Sequence, residues 1–136
     1  MFEAIAVPVV ESKKSKRESS VVAEVLRYLE SRPDVFAWRN NTGGAYRPGS
    51  RVPIRFGLRG SGDILGLIAG GRFLAVECKR PVGGRQSPDQ RAFQVRVEAL
   101  GGLYVLARDV GDVATALGPV RCPNFGHVVT RGYVTD

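Results

Sequence analysis

The sequence predicts a single α/β domain in which helices flank a mixed sheet of about four strands. Three short apolar runs, at residues 35–39, 63–68 and 73–79, have the length and composition of strands. A helical segment separates the third run from a fourth at residues 103–107. Short turns allow the first three strands to form an antiparallel meander, whereas a strand reached through a helix suits a crossover connection. A chain of 136 residues is long enough to bury one core.

The charge balance predicts a polyanionic partner. Lys and Arg total 20 against 13 Asp and Glu, which gives a net charge of +7 and a pI near 10.0. Such a balance favours nucleic acid or an acidic membrane surface, although it is also compatible with a merely solubilising surface. No apolar run approaches the ~20 residues that a bilayer demands. The apolar opening has no preceding basic residues and is broken by Pro8, so we expect a cytoplasmic protein.

The chain is poor in metal ligands other than oxygen. Cys78 and Cys122 do not suggest a disulfide framework, and His127 is the only histidine. A structural zinc site therefore lacks ligands, and any metal is expected to be held by oxygen atoms.

The first helix is expected to run from Ser19 or Ser20 to about Ser31, after a flexible basic arm at residues 1–18. Its apolar stripe consists of Val22, Val25, Leu26 and Leu29. Glu24 lies beside this stripe. It is either a partly solvated flank residue or a carboxylate directed inward at a metal centre.

A strongly basic segment follows the first strand. Residues 39–62 contain five arginines and no acidic residue; the arginines are Arg39, Arg47, Arg51, Arg55 and Arg59. Prolines and glycines exclude a helix here, so we predict a loop or irregular strand. Arginine forks suit phosphate oxygens, and Tyr46 and Phe56 could stack on exposed bases. The alternative is a loop that serves only solubility.

The next two strands carry the candidate catalytic residues, and their register decides whether these meet. Phe73, Ala75, Glu77 and Lys79 alternate onto one face of the strand, and Leu74, Val76 and Cys78 onto the opposite, core face. A two-residue Gly70-Gly71 loop would set Asp63 opposite Cys78, on the wrong face. We predict a three-residue loop that pairs Ile68 with Arg72, because it sets Asp63 opposite Glu77. The alternative is that Glu77 and Lys79 form a surface ion pair worth ~0–1 kcal/mol.

The sequence Ser87-Pro88-Asp89-Gln90 predicts a helix start with a capping box. The helix should end near Leu100, with Phe93, Val97 and Leu100 facing the core and Gly101-Gly102 stopping it. Gln90 is the residue that would close this capping box. A last helix is expected from Asp109 to about Leu117, and residues 118–136 form a tail of no predicted structure.

Asp63 and Glu77-x-Lys79 on a hairpin, followed by a helix and another strand, resemble the PD-(D/E)xK restriction-endonuclease-like core. Longer segments resemble the virus-type replication-repair nuclease (VRR-NUC) domain within that superfamily, over about residues 20–115; they are 41–44, 55–66, 71–81, 86–90 and 101–102. Stand-alone members of that family are small phage and bacterial DNA endonucleases that depend on Mg²⁺ or Mn²⁺. They are associated with branched DNA such as Holliday junctions.

The resemblance assigns roles to individual residues. It implies that Asp63, Glu77 and the backbone carbonyl of Cys78 hold Mg²⁺, for which Mn²⁺ substitutes, and that Lys79 lies at the attacking water. Glu24 would be the helix-borne acid and metal ligand, and Gln90 a supporting polar residue. Cys78, at the middle of this motif, is a small departure from the family pattern. Only the backbone carbonyl of the residue at this position should matter. The expected DNA-binding residues are Asn41, Arg47, Arg51, Arg55, Arg59, Arg80 and Arg85.

The sequence therefore predicts a metal-dependent, structure-selective DNA endonuclease without a nucleotide cofactor or membrane partner, located in the bacterial or phage-infected host cytoplasm. Phosphodiester hydrolysis needs an in-line water and a Lewis acid, and Mg²⁺ held by carboxylates supplies the latter. A homodimer would suit symmetric incision of a four-way junction. The alternatives are a non-catalytic DNA-binding module on the same fold and a ribonuclease.

Overall fold

The computed structural model describes residues 10–122, with side chains from Glu18 onward. Within these residues there are three helices and six strands. The helices are α1 (Val10–Ser31), α2 (Pro88–Ala99) and α3 (Val110–Leu117). The strands are β1 (Val35–Arg39), β2 (Gly43–Tyr46), β3 (Pro53–Phe56), β4 (Ile64–Ile68), β5 (Arg72–Cys78) and β6 (Leu103–Ala107). No helix in this part of the chain is long and apolar enough to cross a membrane.

The main sheet has the strand order β1-β4-β5-β6. β1, β4 and β5 form an antiparallel meander, and β6 joins β5 in parallel after the α2 crossover. The predicted α/β class, the mixed four-stranded sheet and the flanking helices are confirmed. The sequence prediction missed β2 and β3, which form a separate two-stranded antiparallel sheet within the basic segment.

Helices cover both faces of the main sheet, so the fold has two apolar clusters. One face packs against α1 and α3 and buries Leu74, Val76 and Cys78 together with the predicted α1 stripe. The other face, called the α2 face below, packs Ala75 and Phe73 against Val97 of α2. Strand β5 is therefore central and apolar on both sides, whereas the sequence analysis assigned only one of its faces to the core.

The boundaries of two helices differ from the prediction. α1 begins at Val10, so Ser19 and Ser20 lie inside the helix and residues 10–18 of the expected arm are helical. Residues 1–9 and 123–136, including His127, lie outside the described residues. At the end of α2, Leu100 is 88% exposed, so its predicted core position is wrong. Asp109 caps α3 as predicted by accepting a hydrogen bond from the Asp112 backbone N–H.

The β4–β5 register is the one that the active-site prediction requires. Ile68 pairs with Arg72 and Ile64 with Val76, so continuation of the ladder by one residue sets Asp63 opposite Glu77. The turn is closed by a hydrogen bond from the Gly71 N–H to the Ile68 carbonyl, 2.9 Å long. Gly70 and Gly71 both have positive φ, which allows this three-residue loop.

A buried ion pair joins the end of α1 to the start of β1, and the sequence analysis did not anticipate it. The Arg32 guanidinium donates two hydrogen bonds to the Asp34 carboxylate, at 2.9 and 2.8 Å. It also donates to the Tyr28 hydroxyl and the Gly118 carbonyl. The Asp34 carboxylate accepts a further bond from the Arg121 backbone N–H. This network fixes the α1–β1 connection and ties the chain after α3 to it.

Candidate active site

Asp63 is positioned by a tight loop that leaves no room for side chains at its glycines. A Cβ at Gly62 would lie 2.8 Å from the Val76 carbonyl oxygen, and a Cβ at Gly60, whose φ is +80°, would lie 2.5 Å from the Asp89 backbone. The Asn40 side chain donates to Ser61 Oγ and to the Gly62 carbonyl, at 2.8 and 2.9 Å. Asn40 is a positioning residue that the sequence analysis missed, because its contacts cross from β1 to a loop more than twenty residues away.

The Asp63 carboxylate lies at the end of β5. Its Oδ2 accepts a 2.8 Å hydrogen bond from the Cys78 backbone N–H. The N–H and C=O of one strand residue project toward the same neighbouring strand, so the Cys78 carbonyl is also directed to the Asp63 side of β5. The Cys78 thiol, by contrast, is buried in the cluster under α1. Its burial, with the nearby carboxylates, raises the pKa of that thiol to about 12, so it stays neutral.

Glu77 and Lys79 lie on the same face of the strand and are buried. Glu77 is 3% exposed and Lys79 is 8% exposed. Lys79 Nζ lies 3.2 Å from Glu77 Oε1. Such burial is at odds with the alternative interpretation of these residues as a surface ion pair.

Gln90 closes the predicted capping box and also contacts both Glu77 and Lys79. Its Oε1 accepts from the Ser87 backbone N–H at 2.8 Å, which closes the capping box with the 3.2 Å bond from the Gln90 N–H to Ser87 Oγ. The same Oε1 accepts from Lys79 Nζ at 3.2 Å, and Nε2 donates to Glu77 Oε1 at 2.6 Å. The start of α2 therefore fixes the rotamers of two candidate catalytic side chains.

The two carboxylates are incompletely neutralised. Burial, and secondly the negative charge of Asp63, raise the pKa of Glu77 to about 7, although Lys79 acts in the opposite direction. Burial also raises the pKa of Asp63, against the hydrogen bond from Cys78 and the charges of Lys79 and Arg39. The buried carboxylate of Glu77 and the half-buried carboxylate of Asp63 face the one buried ammonium of Lys79, so the site has a deficit of positive charge.

Glu18 is the acid on α1 whose charge acts on Glu77. Its negative charge contributes to the raised pKa of both Glu77 and Cys78. Glu24 is exposed and lines a separate pocket with Arg80 and Arg108. Among the described side chains, Glu24 makes no hydrogen bond or ion pair with Glu77, and the acid of α1 whose charge acts on Glu77 is Glu18.

The predicted DNA-binding arginines are spread over an exposed surface beside the site. Residues 41–49 and 51–59 are exposed, and they include Asn41 and four of the arginines. Tyr46 and Arg55 lie on one face of the β2–β3 ribbon, whereas the Phe56 ring lies over Gly43 on the other face. Of the two predicted stacking residues, only Tyr46 therefore shares a face with an arginine.

Three of the predicted arginines lie in the two loops that precede β4 and follow β5. Arg59 lies 3.2 Å from Asp89 in the first turn of α2, in an exposed ion pair that ties the basic segment to the helix. Arg85 is exposed in the loop before α2, and Arg80 is half-buried. Arg108 donates to the carbonyls of Arg80, Gly83 and Gly84 and so fixes the loop that follows Lys79. Sequence reasoning gave no signal for this role of Arg108.

The oxygen donors present fit a hard divalent cation. Asp63, Glu77 and the Cys78 carbonyl lie at neighbouring register positions of two adjacent strands, and Mg²⁺ prefers oxygen ligands of this kind with water completing its shell. The charge deficit at the carboxylates of Asp63 and Glu77 would be offset by a cation. Among the side chains of residues 18–122, no group of three or more histidine, cysteine, aspartate and glutamate residues is arranged to hold a metal. Two carboxylates and a backbone carbonyl make a smaller protein ligand set than such a group.

No family model, curated protein or solved structure matches this chain.

Proposed function

We propose that this protein is a metal-dependent endonuclease of the PD-(D/E)xK type, similar to VRR-NUC domains, that hydrolyses phosphodiester bonds in DNA. The observation that carries the proposal is the pairing of half-buried Asp63 with buried Glu77 and Lys79 on a hairpin, preceded in the chain by a segment of exposed arginines that leads into Asp63. A structural ion pair would balance its charges. Here the excess of carboxylate suits a site that recruits Mg²⁺ or Mn²⁺ and then an anionic phosphate.

Each residue has a physical task in this scheme. Asp63, Glu77 and the Cys78 carbonyl would hold the cation, which supplies a Lewis acid for the phosphoryl oxygen. Lys79 Nζ, held by Glu77 and Gln90, places a fixed positive charge where it can orient the attacking water or stabilise charge on the phosphate. Gln90 keeps Glu77 in one orientation, and Asn40 keeps the Asp63 loop in place.

The exposed arginines near the site support DNA as the proposed substrate. Arginine forks at Arg47, Arg51 and Arg55 suit phosphates, and Tyr46 is 66% exposed on the Arg55 face of the ribbon. Selectivity for branched DNA such as Holliday junctions, a homodimeric form and a cytoplasmic location remain predictions from the sequence. A ribonuclease and a non-catalytic DNA-binding module are the competing proposals.

The test compares Glu77→Ala with a matched variant of an exposed acid on α1, Glu30→Ala. Labelled linear, flap and four-way DNA and a matched RNA are incubated with Mg²⁺ or with EDTA. We expect Mg²⁺-dependent cutting of DNA by the wild type and Glu30→Ala, and a loss of at least ~10³-fold in Glu77→Ala, which corresponds to about 4 kcal/mol of barrier. Near wild-type cutting by Glu77→Ala would show that the catalytic centre lies elsewhere.

Gel shifts in EDTA separate binding from chemistry. Glu77→Ala should bind DNA as tightly as the wild type or more tightly, because a negative charge facing the phosphate is removed. Reversal of two arginines, Arg51→Glu with Arg55→Glu, should instead weaken binding and reduce its steep salt dependence. DNA binding without any Mg²⁺-dependent cleavage would favour the non-catalytic module, and cutting confined to RNA would favour the ribonuclease.

A further inference from the structure

A second concave surface lies on the α2 face, next to the candidate active site. It is a groove of about 520 Å³ between α2, the start of β5 and the loop after β3. Its apolar lining includes Leu58, Phe73, Phe93 and Leu100. The volume falls within the range of roughly 300–1,000 Å³ that is usual for small-ligand sites. The proposed catalytic residues do not form this groove.

The charges at the groove favour an anionic occupant. Its lining includes Arg59, Arg72 and Arg96 against one acid, Asp89. Because Arg59 is paired with Asp89, Arg72 and Arg96 leave the rim positive. Arg72 Nε donates to the Gly101 carbonyl at 2.8 Å, which holds this arginine beside the groove. An apolar lining with two phenylalanines and a positive rim matches a nucleobase and its phosphates.

The position of the groove fits a strand that passes the carboxylate pair. Phe73 and Glu77 lie on the same face of β5 four residues apart, which is about 13 Å along the strand. One strand of B-DNA advances about 3.4 Å per phosphate, so this separation corresponds to about four nucleotide steps. Leu58 and Arg59 belong to the basic segment itself, so the groove is continuous with the surface proposed to bind DNA.

We propose that this groove takes an unpaired nucleobase, displaced from the strand a few nucleotides from the bond that is cut. A base inside a duplex is stacked and cannot enter the groove, whereas an unpaired base at a branch, bulge or flap is available to it. The groove thereby supplies a physical basis for selection of branched over continuous DNA. This inference rests on the proposed DNA substrate, and it does not depend on cleavage.

The experiment measures binding in EDTA, so that failure of catalysis leaves its result intact. The probes are a fully paired duplex, the same duplex with one unpaired adenosine, and the same duplex with an abasic site in place of that adenosine. We expect the wild type to bind the unpaired adenosine at least about fivefold more tightly than the abasic probe. Leu58→Ala and Arg96→Ala should reduce this ratio, and Ala92→Trp, which fills the groove from an exposed position on α2, should abolish it.

Two matched variants serve as controls. Val52 is exposed in the same basic segment and Arg91 is exposed on α2, and neither lines the groove. Val52→Ala and Arg91→Ala should keep the ratio of the wild type. Equal binding of the adenosine and abasic probes by the wild type would overturn the inference while leaving the proposed nuclease activity standing. A change of sedimentation coefficient in Ala92→Trp, without an effect on the base-dependent ratio, would assign the groove to contact between copies of the chain and would also overturn it.

Discussion

Two clusters of buried charge differ in how completely they are balanced. At the α1–β1 connection, Arg32 and Asp34 form a one-to-one pair in which both oxygens of the carboxylate accept hydrogen bonds from the guanidinium. Those bonds hold the pKa of Asp34 at about 2 and raise the pKa of Arg32. At the end of β5, two carboxylates share one ammonium, and the pKa of Glu77 rises to about 7. Burial of charged side chains alone therefore does not separate a structural ion pair from a candidate functional site. The two are separated by whether each charge has its own counter-charge.

The comparison predicts opposite stability effects for the same kind of substitution. Asp34→Asn leaves the Arg32 guanidinium buried without its counter-charge, so we expect a loss of about 3–5 kcal/mol in the free energy of unfolding. Glu77→Gln in metal-free protein at pH 8 removes a charge that its surroundings disfavour, so we expect equal or higher stability. Urea unfolding of both variants in EDTA measures this contrast. A Glu77→Gln protein that is destabilised as strongly as Asp34→Asn would show that the site is an ordinary structural pair.

The dependence of stability on pH sharpens the same contrast. The pKa of Glu77 is raised in the folded state, so its contribution is favourable at low pH and is lost as the pH rises from about 4.5 to about 7. The pKa of Asp34 is lowered, so its contribution is present above about 3.8 and is lost as the pH falls toward 2. We expect the metal-free wild type to be most stable near pH 4–5, between these two windows, and to lose stability toward neutral pH.

Added Mg²⁺ should reverse the loss of stability that the metal-free protein shows toward neutral pH. A divalent cation binds ionised carboxylates, so the rise in melting temperature caused by added Mg²⁺ should increase as the pH rises through 7. Glu77→Gln should show a smaller decline in EDTA, since only Asp63 then keeps a raised pKa, and a much weaker rise with Mg²⁺, whereas Glu30→Ala should show both effects in full. Thermal unfolding across this pH range, with and without Mg²⁺, supplies the measurement. A Mg²⁺ effect of equal size in Glu77→Gln would indicate a binding site away from these carboxylates.

The parts of the site that depend on local pattern were predictable from the sequence. The alternation of β5 and the need to bring Asp63 opposite Glu77 selected the correct three-residue loop. The capping box was predictable from Ser87-Pro88-Asp89-Gln90 because each of these residue types is favoured at its position in the first turn of a helix. The contact of Gln90 with Glu77 was proposed only through the family resemblance, since it joins elements that are distant in sequence.

The features that the sequence did not reveal depend on where α1 begins and on contacts between residues that are distant in the sequence. Helical periodicity identified the buried stripe of α1 but not where the helix begins, and hence not that Glu18 acts on Glu77. β2 and β3 have only four residues each and are rich in glycine and proline, so their hydrophobic pattern is too short to indicate strands. Arg32 and Asp34 were missed because charged residues usually indicate surface, and their mutual burial needs the chain after α3 to close over them.

The smallest predicted effect separates the two roles of Gln90. Ser87→Ala removes only the capping bond from the Gln90 backbone N–H to Ser87 Oγ. Gln90→Ala keeps that bond and removes the other half of the capping box, from the Ser87 N–H to Gln90 Oε1, together with the bonds to Glu77 and Lys79. Both variants should lose about 1 kcal/mol in the free energy of unfolding. Only Gln90→Ala should also cut DNA more slowly, because Glu77 and Lys79 lose the group that orients them. The measurements are urea unfolding and single-turnover cleavage of the same DNA with Mg²⁺. Equal cleavage by both variants would limit Gln90 to capping, even though its amide contacts Glu77.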